Sequence, residues 1–336
     1  MEEITRVVLD AMGGDNAPHE VVKGAVKAVK DCDDINVILV GVEDIVKAEL
    51  NKYTYPNDRI VVVNADEVIK TDEKPTVAIR KKNSSIVVGL NIVKEGMADA
   101  FVSAGNSGAV LAGGMLLVGR VKGIERPPFA PLIPTEKGVS ILLDCGANVD
   151  ARPSHLVQFA ILGSLYMEHV VGVKNPTVAL LNIGAEEDKG NALCKETYPL
   201  LKECKDINFI GNIEAREVPA GAADVVVSEG FAGNIALKML EGTGRTILSI
   251  VKEAMMSSLR SKIGALLVKP ALKGAFKKFD ATSYGGAPLL GCKGLVVKTH
   301  GNAKMGEIYN TIMQCRTFKK QNINDKIKDR FSEAEE

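Results

Sequence analysis

The stretch VVLDAMGGD, residues 7–15, carries the pattern that decides the fold: an apolar, β-branched run that stops at a turn of Gly and Asp. Such runs are typical of strands that are buried on both faces of a parallel sheet. The pattern recurs at 101–109, 141–148, 178–191, 209–214, 225–234 and 296–302. Because ligands of open α/β sheets bind beyond the carboxyl ends of the strands, it predicts one site built by many loops.

Predicted strands alternate with helical segments along the whole chain. This order predicts an α/β fold with three αβα layers, in which helices cover both faces of a doubly wound, mostly parallel sheet. We expect residues 1–320 to form a single large domain, in which the Pro-rich connector at 126–134 either divides two lobes or is an excursion at the sheet edge. The polar tail at 321–336 is expected to fray.

The composition narrows the class of protein. The 336 residues include 42 basic and 42 acidic side chains and no Trp, which argues against a dedicated nucleic-acid-binding protein. Six scattered cysteines without a CxxC pair argue against a disulfide framework and for a reducing compartment. We find no signal peptide and no run of about 18 apolar residues that would span a membrane, so we expect a cytoplasmic protein.

Several common site motifs are absent. The sequence lacks GxGxxG, GxxxxGK[ST], HExxH, DxDxDG and GxSxG, so it gives no support to a dinucleotide site, a P-loop or a serine nucleophile elbow. It has only four histidines, and we predict no metal site. Cys145 is a weak candidate nucleophile, because the sequence places no clear base beside it and a small buried cysteine is common.

The Gly-rich turns are suited to anions, because free backbone N–H groups at the start of a helix favour phosphate. GNSGA at 105–109 and GFAGN at 230–234 open predicted helices, and Asp15 or a neighbour is expected to cap a helix near Pro18. For any single turn, ordinary strand-to-helix turn chemistry is the alternative interpretation.

Two charged or titratable residues follow predicted strands in the same way. Lys189 would suit an incoming phosphate, and His300 could bind a carbonyl or thiol or do acid–base work. The alternatives are a solvated loop lysine and a histidine whose ring is satisfied by the backbone.

Residues 245–280 form a predicted helical protrusion that is basic and amphipathic at 259–280. Pro270 is expected to split the basic part into two short helices. The residues predicted to contact a membrane or an acyl carrier protein are Lys262, Lys269, Leu272, Lys273, Phe276 and Lys277. The segment either lies in an anionic membrane interface or packs against this protein or a second subunit.

Together, the motifs closely resemble those of the bacterial phosphate acyltransferase family. The resemblance runs from Val7 to about Ile312 and rests on LDAMGGD at 9–15, VSAGNSGA at 102–109, LLDCGAN at 142–148, LNIGAEEDKGN at 181–191, GNIE at 211–214, GFAGN at 230–234, YGGAPLLG at 284–291 and HGN at 300–302. It implies a fold similar to phosphotransacetylases and isocitrate/isopropylmalate dehydrogenases, a homodimer, no organic cofactor and a peripheral location at the inner face of the cell membrane. Asn16 and Glu229 depart from the family pattern, in which many members have His and Asp, so no role is carried over to them.

The resemblance also implies an activity: transfer of a long-chain acyl group from acyl-acyl-carrier-protein to inorganic phosphate, giving acyl phosphate for phospholipid synthesis. The implied partners are these substrates, an anionic membrane surface and the downstream glycerol-3-phosphate acyltransferase. The alternatives are a phosphotransacetylase or phosphotransbutyrylase that uses acyl-CoA, a metal- and NAD-dependent dehydrogenase, and a non-catalytic membrane-surface scaffold.

Phosphate is itself a nucleophile, so we expect it to attack the thioester directly, without an acyl-enzyme. The catalytic candidates are Lys189 as a phosphate ligand and Asn106, Asn234 or His300 as donors to the carbonyl oxygen. The residues predicted to bind substrate or phosphate are Asp10, Gly13, Gly14, Asp15, Gly105, Ser107, Gly108, Asp144, Asn148, Asn182 and Gly233.

Overall fold

The computed structural model describes residues 3–278 and 281–332, except for the side chains of residues 273, 275–278, 281 and 282. The strands are β1 (Thr5–Asp10), β2 (Ile35–Gly41), β3 (Ile60–Asn64), β4 (Ala100–Ser103), β5 (Leu132–Thr135), β6 (Gly138–Leu143), β7 (Thr177–Asn182), β8 (Asn208–Glu214), β9 (Val225–Val227), β10 (Ala287–Pro288) and β11 (Leu295–Lys298). The helices are α1 (His19–Asp31), α2 (Glu43–Leu50), α3 (Pro75–Ala78), α4 (Ser85–Lys94), α5 (Ser107–Gly113), α6 (Pro153–Tyr166), α7 (Ala192–Glu203), α8 (Gly230–Met256), α9 (Leu259–Lys278), α10 (Met305–Lys320) and α11 (Ile323–Ser332).

The strands form two sheets. The first has the order β10-β11-β4-β1-β2-β3, and the second has the order β5-β6-β9-β7-β8. Neighbouring strands are parallel except at one edge of each sheet, where β10 pairs antiparallel with β11 and β5 pairs antiparallel with β6. The predicted mostly parallel α/β fold is confirmed, although the two short edge strands escaped prediction.

The connector at 126–134 links the two sheets. The backbone N–H of Ala130 donates to the carbonyl of Pro288 in the first sheet at 3.0 Å, and Phe129 forms a β-bridge with Leu289. A few residues later the chain enters β5, the edge strand of the second sheet. The connector therefore both crosses between the sheets and begins an edge.

One of three hydrophobic clusters in the described chain spans both sheets. A continuous cluster of buried side chains includes strand residues of the first sheet and helix residues that cover the second. Within it, Gln314 of α10 donates a hydrogen bond of 2.8 Å to the hydroxyl of Tyr166 of α6, and both residues are buried. This hydrogen bond joins α10, which packs on the first sheet, to α6, which packs on the second.

The prediction of a frayed tail is wrong for the part that the structure describes. Residues 323–332 form α11, whose Ile323, Ile327 and Phe331 are buried. Their spacing of four residues places them on one helical face, which packs on the core while the polar residues face water. The sequence contained this pattern, but the high charge of the segment concealed it.

The predicted protrusion is formed by α8 and α9, which pack against each other. Only Gly230 and Gly233, at the start of α8, are buried in that helix. Pro270 lies inside α9, which continues through it, so the predicted split into two helices is wrong. No helix in the described ranges is both long enough and apolar enough to cross a bilayer.

Candidate active site

The loops that follow the two sets of parallel strands meet at one place. Ala147, in the loop after β6, packs against the core of the first sheet. From the other direction, Glu241 of α8 reaches to 3.3 Å from the ring of His300, which follows β11. The structure thus brings together the carboxyl edges of both sheets. The junction between them, called the cleft below, is the candidate site.

The turn after β1 is held by a buried carboxylate and by close packing at its glycines. Asp10 is buried, and its carboxylate accepts a hydrogen bond of 2.7 Å from the hydroxyl of Ser103. Burial raises the pKa of this carboxyl. A Cβ at Gly13 would lie 2.2 Å from Asp10 Oδ2, and one at Gly14, whose φ is +92°, would lie 2.7 Å from the carbonyl of Gly301. These residues shape the floor of the site by close packing.

Asp15 does not cap a helix, contrary to expectation. Helix α1 begins at His19 without a side-chain cap. The backbone N–H of Asp15 instead donates to the carbonyl of Gly301 at 2.7 Å, while its side chain is exposed. The amide of the neighbouring Asn16 donates to the carbonyl of Asn302 at 3.0 Å. This turn is therefore tied to the loop after β11.

Asn106 is used within the protein rather than for substrate. Its Oδ1 accepts a hydrogen bond of 2.9 Å from the N–H of Ala109, which caps α5. Its Nδ2 donates to the carbonyls of Lys70, Thr71 and Glu73 at 2.9 to 3.1 Å. Because an amide has only two N–H groups, none is left for a thioester carbonyl, and the predicted oxyanion role is corrected to a structural one.

The backbone beside Asn106 is more open. The N–H of Gly105 is taken by the hydroxyl of Ser103 at 2.9 Å. The N–H groups of Ser107 and Gly108 have no hydrogen-bond partner within the described ranges, and the side chain of Ser107 is exposed. Of the two predicted anion-binding turns, this one retains free donors.

At the other predicted turn, the start of α8, the backbone N–H groups are already occupied. The carboxylate of Glu229 accepts hydrogen bonds from the N–H groups of Phe231 and Ala232. The N–H of Gly230 donates to the carbonyl of Asn148 at 2.8 Å. The donors that a phosphate would need are occupied by an acidic cap, so the phosphate cradle predicted here is wrong.

Asp144 packs against the start of α8. Its carboxylate accepts from the N–H groups of Phe129, Cys145 and Asn148 at 2.8, 2.7 and 2.5 Å, and burial raises its pKa. A Cβ at Gly233 would lie 2.0 Å from the carbonyl oxygen of Asp144. These contacts assign Asp144, Asn148 and Gly233 to positioning the helix rather than to holding phosphate.

The loop after β7 contains Asn182 and Lys189. The amide of Asn182 donates to the carbonyl of Lys189 at 3.1 Å, and its Oδ1 accepts from the N–H of Ile183 at 2.8 Å, so Asn182 shapes the loop. The side chain of Lys189 is exposed, and no carboxylate of the described chain forms an ion pair with it. Its ammonium remains available to an anion at the edge of the second sheet.

Asn234 keeps its side-chain amide free. It lies beside Gly146, whose ideal Cβ would be 3.6 Å from Asn234 Cγ and whose φ is +113°. The half-buried amide makes no hydrogen bond to any described residue. Of the two amides predicted as donors, Asn234 is the one without a hydrogen bond to a described residue.

Cys145 is unsuited to nucleophilic attack. Its thiol lies 3.6 Å from the carbonyl of Leu142, to which it donates. Burial, together with the nearby carboxylate of Asp144, raises the pKa of the thiol well above its usual value. Since the thiolate is the nucleophile, these surroundings oppose a covalent acyl intermediate.

His300 lies between two carboxylates. Its Nδ1 is 2.8 Å from Glu307 of α10, and its Nε2 is 3.3 Å from Glu241 of α8. Glu241 and then Glu307 raise the pKa of the imidazole to about 9. The ring is therefore an imidazolium at neutral pH, which ties α8 to the first sheet and cannot serve as a general base.

One residue of the site escaped prediction. Lys298, the last residue of β11, is half-buried, and its ammonium donates to the carbonyls of Ala104, at 3.3 Å, and Thr299. Burial lowers its pKa to about 8. The signal in the sequence was a single charge at the end of an apolar strand, immediately before the turn that contains His300.

Comparison with known proteins decides the family. Residues 5–326 match the model of a family described as fatty acid synthesis protein. The chain belongs to this family. It is 51% identical over 97% of its length to a phosphate acyltransferase from Clostridium beijerinckii, of which the match covers 99%. A phosphate acyltransferase from Alkaliphilus oremlandii is also 51% identical, over 98% of this chain and 97% of its own. The family assignment and the enzyme class predicted from the sequence, acyltransferase, are confirmed.

Solved structures confirm the fold of this acyltransferase. A phosphotransacetylase from Streptococcus pyogenes superposes with a TM-score of 0.66 at 17% identity and covers 94% of each chain. The EutD phosphotransacetylase from Staphylococcus aureus superposes with a TM-score of 0.60 at 18% identity, again over 94% of each chain. The predicted likeness to phosphotransacetylases is thus confirmed for the fold, whereas that to isocitrate/isopropylmalate dehydrogenases stays a prediction.

The close approach at the start of α8 predicts the effect of a single methyl group. Gly233→Ala should lower the free energy of unfolding by about 1–3 kcal/mol, because the new Cβ must displace the carbonyl of Asp144. Gly242→Ala is the matched control in the same helix, since nothing lies within 4 Å of its Cβ position, and it should be neutral or stabilising by up to about 1 kcal/mol. Urea unfolding measures both, and equal stabilities would contradict the packing described.

The ion triad of His300 predicts a pH dependence of stability. Because its pKa is raised in the folded protein to about 9, its contribution is fully present below about pH 6.5 and is lost as the pH rises through about 9. The difference in melting temperature between the wild type and His300→Gln should therefore be largest near pH 6 and shrink towards alkaline pH. His169→Gln serves as the control. A difference that does not change with pH would argue against the triad.

Proposed function

We propose that this acyltransferase transfers a long-chain fatty acyl group from acyl-acyl-carrier-protein to inorganic phosphate, giving acyl phosphate for phosphatidic acid and phospholipid synthesis. The observation that carries the proposal is a cleft that offers free donors but no activated nucleophile. The amide of Asn234, the N–H groups of Ser107 and Gly108 and the ammonium of Lys189 are unpaired within the described chain, whereas the thiol of Cys145 is held protonated. The relatives named phosphate acyltransferase support the same reaction.

The reaction needs little from the protein beyond positioning. A phosphate oxygen attacks the thioester carbonyl, the new C–O bond forms, and the C–S bond breaks as the thiolate leaves with its electron pair. An ordinary thiol has a pKa of about 8–9, so the leaving group requires no strong acid. Holding phosphate in line with the carbonyl supplies most of the acceleration. This explains how a site without a free histidine or a serine triad can transfer an acyl group.

The free donors divide between the two reactants. We assign the amide of Asn234 to the carbonyl oxygen, to which it would donate as negative charge develops. The N–H groups of Ser107 and Gly108 and the ammonium of Lys189 are assigned to phosphate oxygens. We assign His300 an indirect part, because its ring contacts Glu241 and Glu307 instead of an open position.

The long acyl chain needs a lipid surface or an apolar groove, and the protrusion of α8 and α9 can provide the contact. Several large apolar side chains of α9 are strongly exposed, including Leu259 at 77%, Leu266 at 69% and Leu267 at 79%. Lys262 and Lys269 lie among them, which suits an anionic membrane surface or the acidic carrier protein. The side chains of Lys273, Phe276 and Lys277, also predicted contacts, lie outside the described residues, whereas Leu272 is half-buried.

We propose two further partners. Along α8, Phe231, Ile235 and Met239 are spaced by four residues and are 60%, 54% and 70% exposed, which supports the homodimer that the family resemblance implies. The acyl phosphate product would be consumed by the downstream glycerol-3-phosphate acyltransferase at the same membrane face.

The reaction is tested by incubating the purified protein with long-chain acyl-acyl-carrier-protein and phosphate, and trapping acyl phosphate with hydroxylamine. We expect phosphate-dependent hydroxamate. Asn234→Ala should lower kcat by about 100-fold because one donor to the developing oxyanion is lost. Lys189→Ala should mainly raise the KM for phosphate.

The donor is decided in the same assay. Product from acyl-CoA but not from the carrier-protein thioester would make the protein a phosphotransacetylase. No product from either donor would overturn the enzymatic proposal and favour a membrane-surface scaffold.

Membrane contact is tested by charge reversal in α9. Lys262→Glu with Lys269→Glu should weaken binding to vesicles that contain anionic lipid, because two attractive charges become repulsive, while binding to neutral vesicles changes little. Lys195→Glu with Lys205→Glu, at exposed positions on and after α7, alters the net charge by the same amount and should have no effect. Cosedimentation measures both pairs, and equal binding by all variants would exclude this role for α9.

A further inference from the structure

Two lysines, the half-buried Lys298 and the exposed Lys238, lie on opposite sides of the cleft among several carboxylates. Lys298 ends β11 in the first sheet, and Lys238 lies on α8, one helical turn beyond Asn234. They are close enough for the charge of Lys238 to lower the pKa of Lys298. No carboxylate forms an ion pair with either ammonium within the described part of the chain.

We propose that Lys298 and Lys238 together bind the phosphate co-substrate at the base of the cleft, with Lys298 as its principal cationic ligand. The inference rests on the proposed function and names the group that receives the attacking nucleophile. Lys189, which the sequence favoured, then contacts the anion only at the rim. A dianion held between residues of both sheets would also fix α8 and its Asn234 relative to the first sheet.

The hydrogen bonds of Lys298 leave room for a ligand. An ammonium has three N–H donors, and the carbonyls of Ala104 and Thr299 take two of them. These carbonyls orient the ammonium of Lys298 but do not neutralise its charge, and burying an unpaired charge is unfavourable. A phosphate oxygen in the third position would supply the missing negative charge.

The nearby charged groups do not replace such a ligand. Glu307, Asp10 and Asp15 favour the charged form of Lys298, whereas Lys238 opposes it. The carboxylate of Glu307 is engaged by His300 at 2.8 Å, and that of Asp10 accepts from Ser103. Glu241, whose pKa the charge of Lys238 helps to lower, is likewise engaged by His300 at 3.3 Å, and Asp15 is exposed to solvent. The balance leaves Lys298 with a pKa of about 8, below the usual value of a lysine.

A dependence of phosphate binding on pH follows from this balance. Above about pH 8, Lys298 loses its proton in the free protein, so phosphate should bind more weakly and should take up a proton as it binds. Removing Lys238 removes a repulsive charge, so Lys238→Met should weaken binding and also move this alkaline limit to higher pH. A purely structural lysine would not produce that shift.

The test is calorimetric titration of the full chain with inorganic phosphate alone. Lys298→Met should raise the Kd at least about tenfold, because a charge-assisted hydrogen bond is lost. Lys298→Arg should retain binding and lose the alkaline limit, since a guanidinium does not titrate in this range. Lys94→Met, at an exposed position that ends α4 at the opposite edge of the sheet, is the matched control and should bind as the wild type does.

Two results would overturn the proposal: an unchanged Kd in a folded Lys298→Met variant, or no proton uptake when the wild type binds phosphate near pH 8.5. The second measurement needs no variant, so misfolding cannot mask the answer. Binding through Lys298 without hydroxamate formation would refute the acyl transfer but leave the phosphate site standing. Hydroxamate formation with phosphate binding unaffected by Lys298 would do the reverse.

Discussion

The contact between the start of α8 and the loop after β6 is the constraint on which the rest of the site depends. The carbonyl of Asp144 occupies the space that a Cβ of Gly233 would fill, and Glu229 closes the end of the helix with its carboxylate. These contacts therefore fix the position of the first turn of α8. Beyond its first turn, the helix carries Asn234 beside Gly146 and Glu241 to His300, and its exposed remainder packs against α9. One rigid element thus connects the proposed chemistry with the surface proposed to meet the lipid.

The charged residues of the cleft form two groups, one paired with carboxylates and one without an ion pair. In one, His300 is held as an imidazolium between Glu241 and Glu307, which joins α8 to the first sheet and leaves the ring no free nitrogen. In the other, neither Lys298 nor Lys238 forms an ion pair with a carboxylate among the described residues. The first group is self-contained, whereas we propose that an anion completes the second. This division agrees with a reaction in which phosphate is the nucleophile and no side chain has to remove a proton.

The sequence predicted every described strand except the short edge strands β5 and β10, most helices and the meeting of the Gly-rich loops, because apolar runs and turn residues report local structure directly. It failed where the partner of a polar group lay far away in the chain. Asn106 looked like a free amide, but its N–H groups are taken by carbonyls more than 30 residues earlier. The start of α8 looked ready for phosphate until the cap by Glu229 appeared. Lys298 was overlooked because its local signal, a single charge at the end of an apolar strand, does not distinguish a half-buried lysine from a solvated one.

The sequence by itself determined the α/β class, the acyltransferase family and the positions of the turns, because each depends on residue order and short-range preference. Only the tertiary structure decided that the strands form two sheets, that the tail packs as a helix, and which turn keeps open N–H groups. It also decided that Lys298 is half-buried and that its ammonium donates to two backbone carbonyls. The physical reason is that hydrogen-bond donors and charges are defined by what remains unpaired after folding, and pairing between distant segments is fixed by packing rather than by sequence proximity.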